Sequence, residues 1–222
     1  MKKRNIVIIV IVILVILICI VLYKFNIIPK KSYTASDFNI NVIHSSIDYD
    51  GDGIDDYSDI LQGAKIEAKN HSKYVSKYYE GGYPSDSEGV CTDVIWRALK
   101  NAGYNLKDLV DSDISKNLSL YTSITTPDPN IDFRRVKNLK VFFDNHTLKL
   151  TNDPYDIDQW MPGDIVIFSN SHIAIISDKR NKDGIPYIIH NASQPNRDED
   201  ALIYWYNSKG ISGHYRFDLN NV

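Results

Sequence analysis

The chain has 222 residues and a mass of 25.4 kDa, with 43% apolar, 11% aromatic and 24% charged residues. That suffices for one domain and an appendage, and it excludes a disordered, collagen-like or disulfide-stapled chain. All 28 acidic residues follow position 31 while six of the 25 basic ones lie within the first 31 positions, so residues 32–222 carry −9, which excludes a nucleic-acid partner.

Residues 6–23 are 18 consecutive apolar residues. At 1.5 Å rise per residue they reach about 27 Å, close to the hydrocarbon thickness of a bilayer, and predict a transmembrane anchor over residues 1–31. A cleaved signal peptide would have a shorter apolar region ending in small residues, and no Ala or Gly precedes Ala35. Cys19 follows Ile18 inside the run, without the small residue that lipoprotein processing wants. Lys2, Lys3 and Arg4 nearly balance Lys24, Lys30 and Lys31, and the α-amino group tips the N-terminus inward. The acidic part then lies outside a bacterial cell membrane, tethered by one span. Cys91 is the only cysteine after Cys19, so no disulfide can form within the domain, and a lone thiol in an oxidising compartment needs a chemical reason.

Residues 32–47 are polar and patternless and read as a stalk. Next come a loop and helix over 48–69, with the helix at 57–69, and a Tyr- and Gly-rich stretch through Tyr83-Pro84. A helix follows at 91–102, where Val94, Ile95, Ala98, Leu99 and Ala102 recur at helical spacing before Gly103. Residues 104–158 read as an insertion: helical at 105–114, loop at 121–130, and either type at 138–145. Strands are predicted at 164–168, 172–177 and 186–191, with Asp183-Gly184 in the last turn, and 202–206 and 214–217 as closing strands.

The loop that starts at Asp48 puts Asp48, Asp50, Asp52, Asp56 and Asp59 at positions 1, 3, 5, 9 and 12 of a calcium-binding pattern. Gly53 stands at position 6, and Ile54 at position 7 offers its backbone carbonyl. Asp59 replaces the usual bidentate Glu, which makes the loop dockerin-like rather than a full EF-hand. The alternative is an Asp-rich turn without metal; five carboxylates so close repel one another unless a cation intervenes, so the expected ion is a structural Ca2+.

Cys91 opens a helix, where unpaired amides and the helix dipole favour a nucleophilic thiolate. His172 opens one strand and His190 ends the next, so antiparallel pairing brings the rings together: His172 as base, His190 as its orienting partner. Asn191 competes for the third role but points to the opposite face. Zinc on Cys91, His172 and His190 is a weak alternative, because no two of them are closely spaced. His44, His71 and His146 sit in polar surroundings and carry no signal.

The order of parts resembles the NlpC-type cell-wall peptidases and CHAP amidases of the papain superfamily. The residues that carry it are Trp160-Met161-Pro162-Gly163-Asp164, then His172-Ile173-Ala174, then Ile188-Ile189-His190. Gly89-Val90-Cys91-Thr92-Asp93-Val94, with Asn130 to Val136 and Gly213 to Phe217, is similar to a bacterial family known only as a domain of unknown function in that superfamily, over about 55–218. The resemblance implies an α+β, papain-like NlpC-type fold over 70–222, with the nucleophile's helix packed on a small antiparallel sheet. It carries over Cys91 as nucleophile, His172 as general base and acid, and His190 as orienting residue, with no cofactor for catalysis. Val90 and Thr92-Asp93 depart from the common motif, and 80 residues separate Cys91 from His172, more than usual. Asp93, Arg134 and Arg135 are candidates for substrate recognition or for structural salt bridges. The expected activity is cleavage of an amide in peptidoglycan. An acyltransferase or thioesterase on lipid or peptide, and a non-catalytic calcium-stabilised wall-binding module, are the alternatives.

Overall fold

In the computed structural model, residues 3–24 and 30–219 are described; residues 1–2 and 25–29 of the expected anchor, and 220–222, lie outside them. Helix α1 (Lys3–Lys24) is apolar on every side over its 18-residue apolar run, where the mean hydropathy is 3.9, and no part of that run is buried against the rest of the chain. Its 22 residues run about 33 Å, long and apolar enough for a membrane span or a signal sequence.

Helix α2 (Asp56–Asn70) starts at Asp55, whose side chain caps the Ser58 amide. A strand pair of two residues each, β1 (Lys73–Tyr74) and β2 (Glu88–Gly89), leads into α3 (Cys91–Asn101). Gly63 lets α2 and α3 close up: a Cβ there would lie 2.6 Å from the Asn101 Cβ and 2.8 Å from the Ala98 Cα. Helices α4 (Leu106–Asn117) and α5 (Val136–His146) follow.

The strands β3 (Leu148–Lys149), β4 (Ile165–Phe168), β5 (His172–Arg180), β6 (Pro186–Ile189), β7 (Asp198–Glu199) and β8 (Ile211–Arg216) form one antiparallel sheet in the order β3-β8-β4-β5-β6-β7. Alternate residues serve two cores. Ile165, Ile167, Ile173, Ile175 and Ile189 face the helices α2 to α5, while Val166, Phe168, Ala174, Ile176 and Ile188 meet Trp160, Ile185, Ala201 and Leu202. Both faces are covered, which accounts for the unbroken apolar runs in β4 to β6. The fold is therefore mixed α+β.

The Pro162-Gly163-Asp164 motif is architectural. Gly163 has φ 89°, and a Cβ there would meet the Tyr57 carbonyl at 2.6 Å. The Asp164 carboxylate accepts two bonds of 2.8 Å from the Arg216 guanidinium, one of 2.8 Å from the Met161 amide, and lies 3.2 Å from the His214 Nε2.

Three expectations are corrected. Residues 202–206 belong to helix α6 (Leu202–Lys209), not a strand. The chain leaves edge strand β7 and must cross the sheet to reach β8 beyond β4, and a helix makes that crossing while burying Leu202. Residues 104–158 are not peripheral, because Leu106, Val110, Ile114, Tyr121, Phe133, Leu139, Phe142 and Phe143 fill the main core. Residues 33–40 are docked rather than a free stalk: Tyr33 exchanges two backbone bonds of 2.8 Å with Arg180, and Ala35 and Ile40 are buried with Met161.

Candidate active site

Hairpin β4–β5 turns through Ser169 and Asn170, both at positive φ, as a tight primed turn requires, and delivers His172 at the first residue of β5. Cys91 opens α3, which packs across β5, so the sulfur lies near the Ile173 amide, next to His172, which favours its charged form. Burial is the largest influence on the thiol and raises its pKa; the amides of Ile173, Thr92 and Cys91 itself lower it; nearby Asp93 raises it. The net result is about 11, so the thiolate expected from a helix start gives way to a neutral thiol at rest: the amides act as anticipated, and desolvation outweighs them.

The His172 Nε2 lies 2.8 Å from the His190 Nδ1, and the His190 Nε2 lies 3.1 Å from the Glu199 carboxylate on β7. His172 is held well below 6.5 by burial, with His190 and Lys209 adding to it, and His190 is lowered by burial against the pull of Glu199. Both rings are therefore neutral at pH 7, and their tautomers matter. With the His190 Nε2 proton directed at Glu199, the His190 Nδ1 accepts from the His172 Nε2–H, which leaves the His172 Nδ1 lone pair free. The opposite arrangement has the Gln194 amide, 3.1 Å away, donating to the His190 Nε2 and would put the proton on the His172 Nδ1. The carboxylate selects the first, since a charged acceptor outcompetes an amide donor for that nitrogen.

The ring planes are fixed from outside. The Trp205 indole of α6 stacks on His172 at 4.0 Å and 10° and meets His190 edge-on at 5.7 Å. Asn191 points away from the histidines and donates to the Ser72 and Gly89 carbonyls at 3.1 Å, tying the His190 strand to the segment before Cys91. Cys91, His172 and His190 do not form a three-ligand cluster; among the described residues, the one cluster of three or more His, Cys, Asp or Glu ligands is Asp48, Asp50 and Asp52.

Asp93 and Arg134 are not exposed recognition groups. Arg134 grips Asp93 with two bonds of 2.8 Å, and Asp93 also accepts from the Val90 amide at 2.7 Å and the Trp96 indole at 2.8 Å. The side chains are 2% and 0% exposed, so the pair pins the start of α3. Arg135 is exposed. It lines both a depression of about 710 Å³ that reaches Asn170 and Ser171 beside His172, and one of about 310 Å³ that reaches Val90 beside Cys91.

Glu199, Trp205 and Tyr74 are missed by the sequence reading. The Tyr74 hydroxyl is raised by burial and then by the Cys91 charge, so it lies within electrostatic reach of the sulfur. A carboxylate one hairpin after His190 was the available signal for Glu199; Trp205 was hidden by the strand expected there, and nothing in its surroundings marked Tyr74.

A family model described as "Domain of unknown function (DUF1287)" matches residues 61–217, a span that includes Cys91, His172, His190 and Glu199 and leaves out the acidic loop. Over 153 residues, 65% of this chain and 71% of the relative, the sequence is 37% identical to "Uncharacterized protein YijF" of Escherichia coli strain K12. No solved structure matches the chain. The chain belongs to the family described as Domain of unknown function (DUF1287).

Proposed function

We propose that this chain is a membrane-tethered, papain-like cysteine hydrolase of the NlpC type, acting outside the cell on an amide bond of peptidoglycan. The observation that carries the reading is the line from His172 through His190 at 2.8 Å to Glu199 at 3.1 Å, with the Cys91 sulfur near the Ile173 amide that follows His172. A buried thiol, a base with a free ring nitrogen and a carboxylate that fixes the tautomer are the parts that acyl transfer needs.

In this mechanism the Cys91 sulfur attacks the carbonyl as its proton passes to the His172 Nδ1. The carbon–nitrogen bond breaks and the amine leaves with that proton, giving a thioester. Water then attacks the thioester, His172 takes the water proton, and the sulfur recovers it as the acid departs. Amides at the start of α3 and the Tyr74 hydroxyl are the nearby donors for the developing oxyanion. The two depressions around Arg135, one reaching Asn170 and Ser171 before His172 and one reaching Val90 before Cys91, supply room for a peptide.

The test is mass spectrometry of purified peptidoglycan, and of diacyl lipid as the rival acyl-transfer substrate, after incubation with the full-length protein in micelles. Soluble muropeptides with new amine and carboxyl ends are expected, and Cys91→Ala should reduce them at least about 10³-fold. Undiminished product from that variant overturns the mechanism, and acyl exchange on lipid alone overturns the substrate.

A further inference from the structure

We propose that residues 48–59 form a calcium site in which Asp48, Asp50, Asp52 and Asp59 supply carboxylate oxygens and Ile54 its backbone carbonyl. The loop is already wound for an ion. The Asp48 carboxylate accepts from the amides of Gly51, Asp52 and Gly53 at 2.8, 3.1 and 2.9 Å, and Asp52 accepts from the Ile54 amide at 2.9 Å. Gly51 and Gly53 take φ of 74° and 94°, and carboxylate oxygens of Asp48, Asp50 and Asp52 lie within 4.8 Å of one another. The base of the loop is closed by the Asp56 amide on the Ile47 carbonyl at 3.0 Å.

An acidic turn can fold this way without metal, so Asp59 decides. Its side chain follows the loop into the first turn of α2, where the residue is 1% exposed and neither carboxylate oxygen has a hydrogen-bond partner. The carboxylates of Asp52, Asp50 and Asp48 lie within electrostatic reach of it. A buried carboxylate without a partner, within electrostatic reach of three others, is costly unless a cation completes it. Calcium takes six to eight oxygens in flexible geometry, which this set meets with Asp59 bidentate and water added.

The ninth position departs from the expected ligand set. Asp56 is withdrawn, accepting from the Tyr49 amide at 2.9 Å and the Tyr104 hydroxyl at 2.5 Å, and water takes its place. Tyr49 stacks on Tyr104 at 4.2 Å, and Asp50 rests on Gly103, so the ion would clamp the loop to the C-terminal end of α3. Cys91 lies at the other end, about 16 Å away along the helix, and the inference owes nothing to the proposed hydrolase.

The experiment is thermal unfolding and terbium luminescence of the full-length protein in micelles, in EGTA and then with Ca2+ or Mg2+ added. Calcium at ten times its dissociation constant should raise Tm by about 3–6 °C, and terbium should be sensitised by Tyr49 and Tyr104 and displaced by calcium. Asp59→Asn keeps the shape and removes the buried charge, so it should raise Tm in EGTA and abolish the calcium increment. Asp50→Asn should fold and lose calcium response at least tenfold. No response of the wild type at 10 mM Ca2+, or a response that survives both substitutions, overturns the site.

Discussion

At the residue scale, the proposed chemistry turns on two groups whose environments oppose ionisation. Cys91 is pushed up to about 11 and His172 well below 6.5, so at pH 7 the pair rests as thiol and imidazole. Alkylation of Cys91 should therefore be about tenfold slower at pH 7 than that of a free thiol and climb through pH 9–11; the higher nucleophilicity of a high-pKa sulfur offsets part of its smaller ionised fraction. Stopped-flow labelling across pH checks this, and a plateau below pH 7 would reveal a thiolate–imidazolium pair instead. In the proposed mechanism Glu199 acts through His190, and Glu199→Gln replaces the charged acceptor by an amide that can also donate to the His190 Nε2. Turnover should fall about 10²–10³-fold with KM unchanged, and nitrogen NMR of the imidazoles should show the other His172 tautomer. Cys91, His172 and His190 were legible because each sits at the end of an element whose periodicity is plain. Glu199 was not, because it enters on a two-residue strand that has no pattern of its own.

At the element scale, the start of α3 is held by the buried Asp93–Arg134 pair, and the neighbouring Arg135 is free of it. Arg134→Leu leaves the Asp93 charge without its partner and should cost about 3–5 kcal/mol of stability, read by denaturant unfolding. Arg135→Ala should leave stability within about 0.5 kcal/mol and change only substrate binding. If instead both substitutions destabilise equally, Arg135 is architectural too. Adjacent arginines look alike in a sequence; which one reaches Asp93 depends on the 3-10 turn Asp132–Arg134, which no periodicity announces. The same limit explains the other misread segments. Leu202 to Tyr206 is rich in residues that favour strands, and only the need to cross the sheet makes it helical. In α5 the apolar residues Leu139, Phe142 and Phe143 fit a helix, but the short span fits a strand as well until the core they share with Tyr215 and Phe217 is known.

At the scale of the whole molecule, the N-terminal segment divides into a part that meets the rest of the chain and a part that does not. Helix α1 buries none of its span against the fold, whereas Tyr33, Ala35 and Ile40 are fastened to β5 and Met161. Only five residues separate Lys24 from Lys30, a reach of at most about 20 Å over the six steps, so the domain sits close to the end of α1 and not on the longer tether that a stalk over 32–47 implies. Two truncations separate anchoring from folding. Deleting residues 1–29 should shift the protein from the carbonate-resistant membrane pellet to the soluble fraction and leave Tm within about 2 °C. Extending the deletion to residue 41 also removes Ala35, Ile40 and the pairing of Tyr33 with Arg180, which costs about 2–4 kcal/mol of apolar burial and should lower Tm by roughly 4–15 °C. Equal stability of the two truncated proteins would make residues 33–40 a stalk after all. A large loss with the first deletion would mean that α1 packs on the domain, and membrane attachment and folding would then be one property instead of two.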